Sequence, residues 1–173
     1  MKFKKVFERT ILFEGGYSDN PYDSGGKTMY GITEKVARDY GYKGEMEDLS
    51  LELAREIYKT NYWDSIRLDE IEKDTIQELM FDTGVNMGTG RGVLIAQKAY
   101  NILNKEIIIE DGIIGSQTIS SINTYKYERD LAFWYVMLRA ERYYDIVRAN
   151  ETQKEFIRGW GRRVQTLLEE VVF

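Results

Sequence analysis

Apolar side chains recur at intervals of three and four residues along most of the chain, which is the spacing of one face of an α-helix. The first such stripe comprises Phe3, Val6, Phe7, Thr10 and Ile11. The pair Gly15-Gly16 follows it, and glycine commonly ends a helix because it adopts left-handed backbone angles without strain. The pattern therefore predicts a first helix over residues 2–13.

The same periodicity predicts further helices, seven to nine in all. Their approximate spans are 33–40, 50–63, 73–87, 92–103, a short helix from 116, 126–148 and 154–171. Thr33 and Ser50 are the predicted N-caps of the second and third helices, because a hydroxyl oxygen accepts a hydrogen bond from an amide of the first turn. Gly159 and Gly161 are weak points within the last helix.

The segment 17–32 has a different character, since it is rich in the turn-forming residues Asp, Asn, Pro, Ser and Gly. Within it, residues 27–32 are either a β-hairpin or an irregular loop. The expected fold class is mainly α, an α+β helical domain with one small β-hairpin or loop insertion near residues 17–33. Because no Pro- or Ser-rich linker divides the chain, residues 1–173 are expected to form a single domain.

Histidine and cysteine are both absent, and this restricts the chemistry that the chain can perform. Their absence excludes Ser-His-Asp and Cys-His nucleophiles, disulfides and the usual zinc ligand sets. We therefore expect no metal and no cofactor. A proton donor that works near neutral pH is expected to be a carboxylic acid with a raised pKa.

Charge and hydropathy restrict the kinds of molecule to which the chain can bind. The chain has 29 acidic and 24 basic residues, a net charge of −5 and no long basic run, which argues against nucleic acid. No run of roughly 18 apolar residues occurs, so no integral membrane segment is expected. The chain begins with lysines, but Glu8 and Arg9 interrupt the apolar residues that follow. We therefore expect synthesis in the cytoplasm without a standard signal peptide.

Glu14 is the first candidate for catalysis. It follows Ile11 by about one helical turn and Phe7 by about two, which places it on the buried stripe at the C-terminal end of the first helix. Partial burial and the negative end of the helix dipole both disfavour a carboxylate. The pKa of Glu14 is therefore expected to be raised, as a general acid requires. The alternative is a helix-terminal glutamate that points to water.

Asp23 is the candidate for a second carboxyl group, with Asp19 as a weaker rival. A protonated acid and an ionised carboxylate across a cleft are the pair that glycosidases use. The acid donates a proton to the glycosidic oxygen, and the carboxylate holds a water molecule or stabilises the oxocarbenium-like transition state. The alternative is that Asp23 only closes an Asx turn in the sequence Asp-Ser-Gly-Gly.

Four separated motifs carry a family resemblance. The first combines Glu14–Tyr17, Asp23–Thr28 and Gly31–Thr33, and the others are Phe81–Gly88, Asp111–Thr118 and Phe156–Val164. Their sequences and their order resemble glycoside hydrolase family 108, which comprises lysozyme-like N-acetylmuramidases of phages and bacteria that are often described as secretion activators. The similarity spans roughly residues 5–165. Ser116 is a departure, because the third motif usually has proline at that position.

The resemblance implies a lysozyme-like fold with a catalytic N-terminal half, residues 1–90, and a predicted peptidoglycan-binding helical half, residues 91–173. It implies hydrolysis of the β-1,4 bond between N-acetylmuramic acid and N-acetylglucosamine in peptidoglycan glycan strands. Glu14 corresponds to the single essential glutamate. The interval from Glu14 to Asp23 also resembles that of phage-type lysozymes, which supports Asp23 in the second role by analogy.

Further residues are expected to bind substrate: Tyr17, Thr28, Tyr30, Thr33, Asp82 and Asn86. The tyrosines lie in glycine-rich loops, where aromatic faces can stack on sugar rings. Asp82 and Asn86 are four residues apart on one helical face and form either a structural hydrogen-bonded pair or part of a polar cleft. We expect Thr28, Tyr30 and Asn86 to line one groove together with both catalytic candidates.

Two other classes of function stay open from the residues alone. One is a non-catalytic peptidoglycan-binding or secretion-associated helical module, against which the presence of Glu14 argues. The other is a lytic transglycosylase, which uses one acid and leaves a 1,6-anhydro sugar. The expected place of action is the cell wall or periplasm after release, and an endolysin would need a holin-like pore to reach it.

Overall fold

The computed structural model describes residues 2–14, 16–18 and 26–172, without the side chains of residues 2, 12–14, 170 and 171. The described residues form eight α-helices, several short 3₁₀ and π segments and one two-stranded antiparallel sheet. The prediction of a mainly α, lysozyme-like fold with one small hairpin is confirmed. The chain divides into two compact units, one that ends at Ser65 and one that begins at Ile66.

The first unit contains the hairpin and three helices. Its elements are α1 (Lys2–Glu14), β1 (Thr28–Met29), β2 (Ile32–Thr33), α2 (Glu34–Asp39) and α3 (Leu51–Tyr58), with a 3₁₀ segment at Met46–Asp48 and a π segment at Lys59–Trp63. Thr33 caps α2 by accepting a hydrogen bond from the Val36 amide, and Ser50 caps α3 by accepting one from the Leu53 amide. Both predicted N-caps are therefore confirmed.

Residues 27–32, for which the sequence pattern allowed either a β-hairpin or an irregular loop, belong to a β-hairpin in which Thr28 lies opposite Thr33. Only two residues connect its strands, Tyr30 and Gly31, and their φ angles are 52° and 73°. Two left-handed residues in a two-residue loop suit the right-handed twist of paired strands. Glycine adopts this conformation without strain, whereas Tyr30 adopts it against the steric preference of a residue with a Cβ atom.

Aromatic rings form part of the core of the first unit and support the hairpin. Phe3 packs edge-on against the buried Trp63 with ring centroids 5.4 Å apart, and Phe7 packs in the same way against Tyr58 at 5.5 Å. The hydroxyl of Tyr58 donates a hydrogen bond of 3.0 Å to the carbonyl oxygen of Tyr30. Helix α3 therefore holds the strained turn of the hairpin in place.

The second unit is helical. Its helices are α4 (Asp74–Met87), α5 (Thr89–Leu103), α6 (Ser116–Thr124), α7 (Glu128–Ala149) and α8 (Ile157–Leu167). A 3₁₀ segment at Glu151–Glu155 precedes α8 and a π segment at Leu168–Val172 follows it, so the predicted helix 154–171 consists of three pieces. None of the helices in the described part of the chain is both long and apolar enough to span a membrane.

Helices α4, α5 and α7 pack closely around Gly92. A Cβ atom at this position would lie 3.0 Å from the carbonyl oxygen of Met80 and 3.5 Å from the amide nitrogen of Gly84. The hydroxyl of Tyr135, on α7, donates a hydrogen bond of 3.1 Å to the carbonyl oxygen of Gly92. The missing side chain thus allows α4 and α5 to approach each other, and Tyr135 fixes α7 against them.

Candidate functional site

Glu14 is the last residue of α1, which ends one residue beyond the predicted span 2–13. Phe7 and Thr10 on the same helix are each 3% exposed, and helical spacing places position 14 on the face that they share. The side chain of Glu14 and all of Asp23 and Asp19 lie outside the described residues. Their roles in catalysis and the distance between the two carboxyl groups stay predictions.

The hairpin gathers four of the predicted binding residues into one local structure. Ser18 and Thr28 exchange two backbone hydrogen bonds of 2.9 and 2.8 Å, which brings Tyr17 to the edge of β1. The Tyr17 side chain is 37% exposed. Thr28 donates its hydroxyl proton to the carbonyl oxygen of Gly26 at 3.1 Å, whereas the Thr33 hydroxyl accepts from the Val36 amide. A hydroxyl that accepts one hydrogen bond still has its proton to donate, so Thr33 can orient a water molecule or a sugar oxygen.

Asp82 lies in the interior of the second unit, where both carboxylate oxygens accept hydrogen bonds from arginine. Arg139 of α7 donates to Oδ2, and Arg163 of α8 donates through Nε at 3.1 Å and through Nη2 to Oδ1 at 2.7 Å. Burial by itself would raise the pKa of Asp82, but the two arginines outweigh it and the pKa is lowered. This geometry favours the structural alternative for Asp82 over a place in a sugar-binding cleft.

Asn86, one helical turn further along α4, reaches the surface. Its Oδ1 accepts a hydrogen bond of 2.6 Å from the hydroxyl of Tyr143, and that hydroxyl in turn accepts from Arg139. Asp82 and Asn86 are therefore connected through α7 rather than bonded to each other. The sequence missed Arg139, although its spacing of four residues from Tyr135 and from Tyr143 indicated a position on the buried face of α7.

The turn that opens the predicted peptidoglycan-binding half is built around Gln97. The buried Gln97 amide donates to Asp111 Oδ1 at 2.9 Å and accepts from the Gly112 amide at 2.8 Å. The Ile113 amide also donates to Asp111, and these hydrogen bonds lower the pKa of Asp111. Ser116 is the first residue of α6, a position that suits proline but does not require it. The turn therefore forms without the proline that the family usually has.

Adjoining cavities open around Arg91 on the second unit. One of about 200 Å³ has Asn86, Arg91, Arg142 and Trp160 among its lining residues. A second of about 220 Å³ shares both arginines, and a wider one of about 500 Å³ reaches the Asp111 turn. Within the described ranges, no three acidic side chains lie close enough together to hold a metal ion. The sequence did not single out Arg91 or Arg142, and only the proximity of Arg91 to the second motif pointed to it.

The described residues form a mainly α, lysozyme-like fold with one small hairpin. The family described as Glycosyl hydrolase 108 matches residues 7–88, and the one described as Predicted Peptidoglycan domain matches residues 91–165. The chain thus belongs to glycoside hydrolase family 108 and carries a C-terminal peptidoglycan-binding region. It is a glycoside hydrolase whose substrate class is peptidoglycan.

A solved structure agrees with this assignment. The chain is similar to SagA of Brucella abortus, with a TM-score of 0.78 and 25% sequence identity over 95% of this chain and 90% of that one. No curated protein matches the sequence significantly. The family boundary between residues 88 and 91 lies C-terminal to the boundary of the compact units at Ser65, because α4 belongs to the first family region yet packs with α5 and α7.

Proposed function

We propose that this chain is an N-acetylmuramidase that hydrolyses the β-1,4 bond from N-acetylmuramic acid to N-acetylglucosamine. The observation that carries the proposal is the position of Glu14 at the C-terminal end of α1. Helical spacing assigns position 14 to the face that includes the buried Phe7 and Thr10. Unpaired carbonyl groups give this end of a helix a partial negative charge, which disfavours a carboxylate and favours a neutral acid. A neutral carboxyl group is what a glycosidase needs as its proton donor.

In the proposed reaction, Glu14 donates its proton to the oxygen of the scissile glycosidic bond as that bond breaks. Positive charge then develops on the muramic acid ring, and Asp23 stabilises it or holds the attacking water. As the water adds to the anomeric carbon it gives one proton to a carboxylate: to Asp23 if the configuration is inverted, or back to the ionised Glu14 if it is retained. The glycan strand is thus cut into two fragments, and one of them ends in a reducing N-acetylmuramic acid.

The hairpin supplies the substrate contacts in this proposal. Tyr17 and Tyr30 offer aromatic faces to sugar rings, and Thr33 keeps a hydroxyl proton for a sugar oxygen or a water molecule. The hydrogen bond from Tyr58 to the Tyr30 carbonyl supports this role, because it fixes the turn that carries the ring. A fixed loop presents its side chains without an ordering cost at the moment of binding.

The decisive experiment replaces Glu14 with glutamine and measures clearing of purified cell walls. General acid catalysis contributes about 10² to 10⁴ in rate, so Glu14→Gln should lose at least that factor while the thermal unfolding midpoint stays the same or rises. Asp23→Asn should lose less. Glu8→Gln is the matched control, since Glu8 is exposed on the same helix. Clearing by Glu14→Gln at the parent rate would show that Glu14 is not the acid.

Mass spectrometry of the released fragments separates the proposal from its alternatives. A muramidase leaves reducing N-acetylmuramic acid ends, whereas a lytic transglycosylase leaves 1,6-anhydro ends and a non-catalytic module releases nothing. We further propose that the protein acts as a bacteriolytic endolysin on the wall or periplasm after release. Expression in a bacterial host should then lyse the cells only when a holin-like pore is produced with it.

A further inference from the structure

A chain of hydrogen bonds from the interior of the second unit to its surface has a fixed direction. Arg139 has only donors, and it uses them on Asp82 and on the hydroxyl oxygen of Tyr143. The Tyr143 proton must then go to Asn86 Oδ1, 2.6 Å away. With its oxygen engaged, Asn86 presents its NH₂ group, which is a donor, at the surface. The buried ion pair therefore sets the orientation of an exposed amide.

The cavity of about 200 Å³ beside this amide is lined by further donors. Arg91 and Arg142 border it, and both side chains are only partly exposed. Among the described residues, none forms an ion pair or a side-chain hydrogen bond with either guanidinium group. Glu141 and Asp145 line the adjacent cavity without pairing with these arginines, and no acidic side chain lines this one.

An aromatic wall completes the cavity. The indole of Trp160 stacks on the ring of Tyr143, with centroids 4.7 Å apart and planes inclined by 15°. Trp160 therefore has a fixed position, and its N–H is one more donor. A ligand that suits this lining has a carboxylate for the arginines, a carbonyl oxygen for the Asn86 amide and an apolar portion for the indole.

We propose that this cavity, formed by Asn86, Arg91, Arg142 and Trp160, binds a carboxylate of a peptidoglycan fragment. The inference rests on the proposed function, because it takes the substrate to be peptidoglycan. Two sources of the carboxylate share this chemistry: the stem peptide, and the lactyl group of an N-acetylmuramic acid without a peptide. In either case the fragment also has amide carbonyls that match the Asn86 donor.

The test is calorimetric titration with N-acetylglucosaminyl-N-acetylmuramyl-tetrapeptide, compared with the same fragment after methyl esterification of its carboxylates. This disaccharide lacks the bond that a muramidase cleaves, so the unmodified protein can be used. Hydrogen bonds to charged groups are strong, so the parent should bind the free acid about tenfold to a hundredfold more tightly than the ester. The peptide-free disaccharide is the third probe. Its lactyl carboxylate is free, whereas in the tetrapeptide fragment it is part of an amide, so tighter binding of the peptide-free disaccharide identifies the lactyl group as the source and tighter binding of the tetrapeptide identifies the stem peptide.

Two variants locate the binding. Arg142→Gln removes one charge, and Asn86→Asp keeps the acceptor for Tyr143 but replaces the amide donor with a negative group. Arg142→Gln should lose about tenfold or more in affinity for the free acid and little for the ester, whereas Asn86→Asp should weaken binding of both, because both have the amide carbonyls that the Asn86 donor matches. Arg129→Gln is the matched control, since Arg129 is exposed on the same helix α7 and lines none of these cavities.

Equal affinity of the parent for the acid and the methyl ester of both the tetrapeptide fragment and the peptide-free disaccharide, no binding of any of them, or full binding by both variants would overturn the inference. These outcomes differ from a failure of the proposed function. If Glu14→Gln still clears walls but Arg142→Gln weakens binding of the free acid, the muramidase mechanism is wrong and the carboxylate site stands. If Glu14→Gln is inactive and Arg142→Gln binds like the parent, the muramidase mechanism stands and the carboxylate site is wrong.

Discussion

Arg163 Nη2 lies 2.7 Å from Asp82 Oδ1, so that a residue of α8 contacts α4 across 81 positions of the sequence. Arg139 of α7 donates to the other carboxylate oxygen of the same residue. Burial would by itself lower the pKa of Arg139, but the attraction of Asp82 outweighs it and the pKa is raised. One buried carboxylate therefore connects three helices of the second unit.

Replacing Asp82 with asparagine should destabilise the protein strongly. The substitution keeps the shape but leaves the fully buried Arg139 without its counter-charge. Breaking a buried ion pair on one side costs about 3 to 5 kcal/mol, so the urea midpoint should fall well below that of the parent. Asp39→Asn is the control, because the Lys35–Asp39 pair is exposed and such pairs contribute less than about 1 kcal/mol. Equal losses in the two variants would contradict a structural role for Asp82.

The ion pair between Asp82 and Arg139 also predicts how the stability of the protein depends on pH. The folded-state pKa of Asp82 lies below its unfolded value, so its contribution is fully present above about pH 4 and is lost as the pH falls through the folded pKa. Urea unfolding at a series of pH values should show a constant gap between the parent and Asp82→Asn above about pH 4, and a narrowing gap below it. A stability difference between the two proteins that stays constant below about pH 4 would show that the arginines do not stabilise the Asp82 carboxylate.

Periodicity and capping residues predicted most of the fold, because both act within one helical turn. The stripe of α1, the hydroxyl caps Thr33 and Ser50, and the end of α4 at Gly88 all follow from neighbours in sequence. The division at Ser65 could not be predicted in this way. It depends on α4 packing with later helices, and no linker composition marks it.

For the candidate site too, the sequence predicted the features that depend on neighbouring residues and missed those that depend on distant ones. The position of Glu14 follows from local spacing, and the motifs around it identify the family. The pairing of Asp82 with Arg139 and Arg163 joins residues 57 and 81 positions apart, so helical spacing could not distinguish a structural carboxylate from a cleft residue. Arg91 and Arg142 gain their significance only from the cavity between them, which depends on how α4, α5, α7 and α8 pack.

The close approach of α4 and α5 can be tested with two glycines. Gly92→Ala would place a methyl group 3.0 Å from the carbonyl oxygen of Met80, and overpacking of this kind costs about 1 to 3 kcal/mol. Gly159→Ala is the matched control, since nothing lies within 4 Å of its added Cβ. Alanine there should stabilise α8 by about 0.5 to 1 kcal/mol because it restricts the unfolded chain. Thermal midpoints that shift in the same direction for both variants would contradict the packing described around Gly92.

The hydroxyl of Tyr143 offers the last test, because it can be removed without disturbing the ring. Tyr143→Phe keeps the stack on Trp160, whose centroid lies 4.7 Å away, but it deprives Arg139 of an acceptor and Asn86 of a donor. Leaving a buried donor unsatisfied costs about 1 to 3 kcal/mol, and the chemical unfolding midpoint should fall accordingly. The neighbouring Tyr144 is 62% exposed, so Tyr144→Phe should change stability by less than about 0.5 kcal/mol. With Asn86 released, its amide is free to turn, and affinity should fall for both the free-acid fragment and the ester, because both have the amide carbonyls that Asn86 binds. A Tyr143→Phe protein as stable as the parent, with unchanged affinity for both fragments, would show that the buried chain of hydrogen bonds does not orient Asn86.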